Sequence, residues 1–137
     1  KMSRSGYSED CDDNWSHIMW RGAVKSSLNG KRGQTFLRET LAALDALPEK
    51  KLVTQELEAE GAYCTLGAVG KARGMDLQKI DPKDHYVVAE QFDVANALAR
   101  EIMFMNDEGA WATETPEQRW HRMRNWVAAH ILEDAQP

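Results

Sequence analysis

Arg21, Lys25, Lys31, Arg32 and Arg38 crowd one stretch of the chain, and at its centre stands Gly30-Lys31-Arg32-Gly33-Gln34. Glycines let backbone N–H groups approach a ligand closely, and here two cations stand between them at the start of a helix. That is the chemistry of an anion site. It is not the phosphate-cradling loop of nucleotide hydrolases, because the glycine spacing and the Lys-Ser/Thr ending are absent. A charged turn standing in solvent is the plainer reading of the same residues.

A second basic group, Arg119, His121, Arg122 and Arg124, is interleaved with Trp120 and Trp126. Cations beside aromatic rings can hold nucleic acid or an acidic protein surface. Trp120, however, falls on an apolar stripe and reads as core, and the arginines can equally balance acids elsewhere in the domain. Trp20, Trp111 and Trp126 fit the stripes less well. Tryptophan is enriched at protein interfaces. Lys31, Arg32, Arg38, Arg119, Arg122, Arg124, Trp20 and Trp111 are therefore the candidate contacts to a protein partner.

The stretch His85–Ile102 has the spacing of a helix-turn-helix. Its first helix would pack through Val88, Ala89 and Phe92, and its second would offer Asn96, Ala97, Arg100 and Glu101 to a groove. Asn96 and Arg100 are the residue types that read base edges. Asp84, Glu90, Asp93 and Glu101 surround them, and two helices about a tight turn are also a common packing unit. Nucleic-acid binding is thus the alternative to protein binding.

Nothing argues for an enzyme, and no residue is assigned a catalytic role. His17, His85, His121 and His130 share no pattern with a nucleophile. The acids Glu9, Asp10, Asp12 and Asp13 lack the glycine turn and terminal Glu of a calcium loop. Cys11 and Cys64 have no ligand spacing for zinc, so no metal and no cofactor is expected. Both thiols read as reduced. Cys64 begins Cys64-Thr65-Leu66-Gly67-Ala68-Val69, an apolar run with small residues that reads as a buried central element. A reactive thiol would want cationic neighbours and exposure.

The elements that must position these residues follow from periodicity and punctuation. Residues 1–13 are polar and aperiodic and read as a flexible N-terminal arm, with 14–133 forming a single helical domain. Lys1 reads as an addition ahead of Met2. A first helix carries Trp15, Ile18, Met19, Gly22, Ala23 and Ser26 on one face and closes at Gly30 and Gly33. A second runs from about Gln34 to Leu47, where Pro48 ends it. Leu52-Val53-Thr54, a glycine turn and Tyr63-Cys64 suggest a β-hairpin. Thr65–Arg73 is a short helix capped by Gly74, Asp81-Pro82 opens the next, and Ala95–Met105 follows. Thr115 and Pro116 start the last, with Trp120, Met123, Val127 and Ile131 as its stripe.

The fold class is therefore mainly α: a compact bundle of about six helices with one small hairpin. Its 137 residues suit one domain. Apolar residues make up 42% and charged residues 28%, which excludes disordered and fibrous classes. No apolar run approaches the roughly 20 residues of a membrane span. No secretory leader is visible, so the cytoplasm is the expected compartment. A formal charge of -5 disfavours nucleic acid unless cations cluster on one face.

The order of the short motifs resembles an uncharacterised group of small proteins encoded by bacteriophages and prophages. The resemblance rests on Trp20-Arg21-Gly22, on Gly30-Lys31-Arg32-Gly33-Gln34 with Phe36-Leu37-Arg38, and on Tyr63-Cys64-Thr65-Leu66-Gly67-Ala68-Val69. Asn106-Asp107-Glu108 and the closing helix with Trp126-Val127 complete it. Thr65 departs from the doubled cysteine of many members. The resemblance implies a viral or prophage origin, with no activity or catalytic residue attached. The expected function is that of a phage accessory protein acting by non-enzymatic protein binding on a host or phage factor.

Overall fold

The structure is a computed structural model describing residues 3–7, 14–110 and 113–133, with the backbone alone for 14–17. Among these residues lie six helices: α1 (Asn14–Asn29), α2 (Lys31–Ala46), α3 (Thr65–Arg73), α4 (His85–Phe92), α5 (Asn96–Glu108) and α6 (Pro116–His130). One antiparallel hairpin, β1 (Glu58–Ala59) and β2 (Ala62–Tyr63), interrupts them between α2 and α3. This is the mainly α bundle with one small hairpin that the hydrophobic spacing predicts. No described helix is long and apolar enough to cross a membrane.

α2 is the central element, packed between α3 and α6, while α5 packs on α1 and α4. Phe36, Leu37 and Leu44 of α2, Leu66 and Val69 of α3, and Trp120, Met123 and Val127 of α6 share the core with Phe92, Leu98 and Ile102. The Trp120 indole N–H donates to the Leu44 carbonyl at 3.0 Å, so the polar edge of the buried ring is satisfied.

α1 and α2 meet at Gly30 alone, so the expected loop Gly30–Gln34 is in fact the first turn of α2. Gly33 explains the tightness. A Cβ there would stand 1.7 Å from the Ser27 carbonyl oxygen, so only glycine lets the two helices approach this closely. α1 also buries a different face from the one its small residues suggest. Val24 and Leu28 are buried and Trp20 half-buried, while Ile18, Met19, Gly22, Ala23 and Ser26 face outward. The spacing 20, 24, 28 is helical too, and α5 and α2 cover that side.

The hairpin forms later than expected. Glu60 and Gly61 both adopt left-handed φ, 52° and 79°, the geometry of a primed two-residue turn. Leu52 makes only an isolated parallel bridge to Tyr63, so Leu52-Val53-Thr54 is not a strand of the hairpin. α4 starts at His85 with Asp84 as its cap, not at Pro82. Gly74 closes α3 in the left-handed region, and Thr115 with Gln118 forms a capping box ahead of Pro116.

The reading of residues 1–13 as a loose arm does not hold for Arg4 and Ser5, which are 3% and 1% exposed. Arg4 reaches Asp107 near the end of α5, so this segment is anchored by charge, a signal that apolar periodicity does not carry.

Candidate functional site

At the corner where α1 passes into α2, Ser26, Ser27, Gly30, Lys31, Arg32 and Gly33 face Val94, Ala95 and Leu98 across a cavity of about 180 Å³. Two helices begin here. α2 has Gly30 as its N-cap and α5 has Ala95, and neither receives a side-chain cap. Cys64, Asp84 and Thr115 supply one to α3, α4 and α6. The first N–H groups of a helix have no partner within it and carry partial positive charge. The corner therefore gathers two such termini and two cations, with the carbonyl end of α1 beside them at Ser26 and Ser27.

Lys31 is exposed at the first position of α2. Arg32 is exposed as well and donates to Asp93 at 2.9 Å. That pair is mostly in solvent, 62% and 89% exposed, so it holds Arg32 weakly. Asp93 also places one carboxylate at the rim, beside the start of α5. Gln34 is structural: its amide donates to the carbonyls of Leu28 and His130 and accepts from the Leu132 N–H. Arg38 donates to the Leu132 carbonyl and so helps hold the end of α6 against α2.

The second basic group is used within the domain. Arg122 donates to the carbonyls of Met105 and Asn106 at the end of α5 and to Glu114. Arg119 donates to the Leu52 and Glu114 carbonyls, and Arg124 forms a bidentate pair with Asp45. These three arginines lock α6 to its neighbours and do not form a free basic face. Trp20 is half-buried, with the Arg100 guanidinium 4.5 Å from its ring centroid. Trp111, Cys11 and the acids Glu9, Asp10, Asp12 and Asp13 lie outside the described residues.

The helix-turn-helix spacing folds as two helices about Asp93, which takes a left-handed φ of 58°. Val88, Ala89 and Phe92 are buried as expected. Asn96, Arg100 and Glu101 of the second helix do not stand free in solvent. Asn96 donates to His85 Nδ1 at 3.0 Å, Arg100 donates to the Ser5 carbonyl at 2.6 Å, and Glu101 is buried. The groups that would read bases are committed to the domain itself.

Two motifs far apart in sequence meet in a buried polar cluster. Asn106 Oδ1 accepts from the Thr65 N–H and hydroxyl at 3.0 and 2.8 Å, and its amide donates to the Val53 carbonyl and to Asp107. Asp107 accepts two bonds from Arg4 and one from the Gln55 N–H. Burial opposes the charge on Arg4, but the neighbouring Cys64 sulfur and the Asp107 carboxylate outweigh it and raise its pKa. Cys64 is 1% exposed and its sulfur accepts from the Gly67 N–H, so it caps α3 from inside the core. The cationic neighbour of a reactive thiol is present and the exposure is not.

No family model, curated protein or solved structure matches this chain.

Sequence reasoning located Lys31 and Arg32 but missed Val94, Ala95 and Leu98 across from them. Their signal is Ala95, an N-cap position lacking a capping side chain. Among the described residues no group of three or more His, Cys, Asp or Glu side chains is placed to hold a metal ion.

Proposed function

We propose that the chain is a non-enzymatic binding protein that docks an acidic protein surface at the α1–α2 corner. One observation carries this reading: the N-terminus of α2, which has no side-chain cap, lies at the cavity that Lys31 and Arg32 line, with the uncapped start of α5 at Ala95 across from it. A carboxylate placed there accepts from backbone N–H groups and faces two cations, which needs no catalytic group. Lys31 has no ion pair among the described residues, and the Arg32–Asp93 pair is exposed enough to exchange partners. A basic corner on a chain of net charge -5 attracts an acidic protein without strongly attracting nucleic acid.

The resemblance to phage and prophage proteins supports an accessory role in the host cytoplasm, where a host or phage factor is the partner. The internal commitments of Asn96 and Arg100 favour protein over nucleic acid. Affinity capture from nuclease-treated bacterial lysate tests the reading. The native chain should retain an acidic protein that Lys31→Glu with Arg32→Glu releases. Equal capture by both forms removes the corner from the account.

A further inference from the structure

Ser3–Tyr7 sit on one face of α5 in the manner of a bound peptide. The segment folds on itself: the Gly6 N–H donates to the Ser3 carbonyl, the Ser3 and Ser5 hydroxyls meet at 2.6 Å, and the Tyr7 N–H donates to the Ser5 hydroxyl. Gly6 takes a left-handed φ of 77°, and a Cβ there would stand 2.7 Å from His85 Nε2. The turn projects two anchors. Arg4 makes a bidentate pair with Asp107. Tyr7 donates to Glu101 at 2.8 Å and lies between Trp20 and Phe104, with ring centroids 5.4 and 5.0 Å away. Arg100 meets the Ser5 carbonyl between them. Arg100, Glu101, Phe104 and Asp107 recur at helical spacing, so one face of α5 receives the whole segment.

This face is a charged recognition surface rather than an apolar seam. Its carboxylates are almost fully enclosed, with the side chains of Asp107 and Glu101 1% and 7% exposed. Apolar residues in place of this ion pair would hold the segment as well or better. Arg4 also meets the Cys64 sulfur, and Trp20 meets the Tyr7 hydroxyl.

We propose that this face of α5 is a binding site for a turn-forming peptide segment carrying arginine and, three residues on, tyrosine. Ser3–Tyr7 fill it as an internal ligand, which such a segment of a protein partner displaces. The proposal stands apart from the Lys31 corner and does not depend on it. An internal competitor lowers the apparent affinity for an external one by the fraction of time the site is open. A segment already folded into its turn loses less freedom on binding.

The test uses the full chain and the blocked peptide Ser-Arg-Ser-Gly-Tyr, followed by calorimetry and thermal melting. Arg4→Ala weakens the internal ligand and leaves Asp107, Glu101 and Trp20 in place. The peptide should bind this variant on the order of tenfold or more tighter than the native chain, and should raise its melting temperature. Binding should be lost with alanine in place of either anchor of the peptide, and lost when Asp107→Asn is added to the variant. If Arg4→Ala unfolds, the peptide should refold it, and Tyr7→Ala, which loosens only the aromatic anchor, should show the same gain in affinity. Millimolar peptide without effect on Arg4→Ala and Tyr7→Ala would overturn the proposal and make the segment a fixed part of the core.

Discussion

The Arg4 guanidinium and the Asp107 carboxylate meet at 2.6 Å with both side chains 1% exposed, and this contact ties the start of the chain to the end of α5. Asp107 also accepts from Gln55 and Asn106, so its charge is the hub of the buried cluster. Removing one partner of a buried pair leaves an uncompensated charge and costs about 3–5 kcal/mol. Arg4→Ala should lose stability on that scale in urea titration. Arg4→Met combined with Asp107→Leu should lose clearly less. Equal losses would mean that the bonds Asp107 accepts from Gln55 and Asn106, not the uncompensated charge, set the cost.

Two glycines in neighbouring helices should respond in opposite directions. Gly33→Ala drives a methyl group into the Ser27 backbone and should cost about 3 kcal/mol or more. Gly22 is exposed in α1, and a Cβ there meets nothing within 4 Å. Gly22→Ala should stabilise by about 0.5–1 kcal/mol, because alanine loses less backbone freedom in a helix. Melting temperatures of the two variants check both signs.

Burial, with the nearby Arg100 charge, lowers the His85 pKa, and Asp84 opposes the shift. Asn96 donates to Nδ1, which must be unprotonated to accept, and Tyr86 and Gly6 enclose the ring. The folded state thus prefers neutral imidazole. This contribution is present above the unfolded value of about 6.5 and is lost as pH falls through the lower folded value. Urea midpoints should decline through that window in the native chain and decline less in His85→Asn. Glu39 and Asp45, held below the usual carboxylate range first by hydrogen bonds from Arg73 and Arg124, lose their contribution only at more acidic pH. Identical pH profiles for the two proteins would contradict the assignment to His85.

Cys64 should resist thiol reagents until the domain opens. In a Cys11→Ser background the labelling rate should track global unfolding in denaturant, because the sulfur is enclosed by α3, Arg4 and the core. Fast labelling of the native protein would show that the cover over Cys64 opens locally.

The helices were legible in the sequence, as were the caps Thr115 and Gly74, because apolar spacing and residues such as Thr115, Pro116 and Gly74 act locally. The exposed face of α1 was misread because Ile18 and Met19 share helical spacing with small residues, while the buried face is marked by Trp20, Val24 and Leu28. The α2 start was misplaced because Gly33 permits a helix–helix contact rather than breaking a helix. Lys31 and Arg32 were visible as unmatched cations. Their facing residues Val94, Ala95 and Leu98 were not, since the cavity exists only after α5 packs beside α1. The roles of Arg4, Arg100, Arg119, Arg122 and Arg124 depend on partners distant in sequence, and no local pattern distinguishes a structural arginine from a binding one.

The central claim is that the α1–α2 corner accepts anionic groups from a protein surface. Its most direct test is a nuclear magnetic resonance titration with a hexaglutamate peptide at low salt. The account predicts saturable shifts in the amides of Lys31, Arg32 and Gly33 together with those of Asn96 and Ala97. These shifts should weaken as salt rises and be lost in Lys31→Glu with Arg32→Glu, whose stability should stay within about 0.5 kcal/mol of the native chain. Unmoved amides in both helix termini, or shifts that persist in the charge-reversed protein, would contradict it.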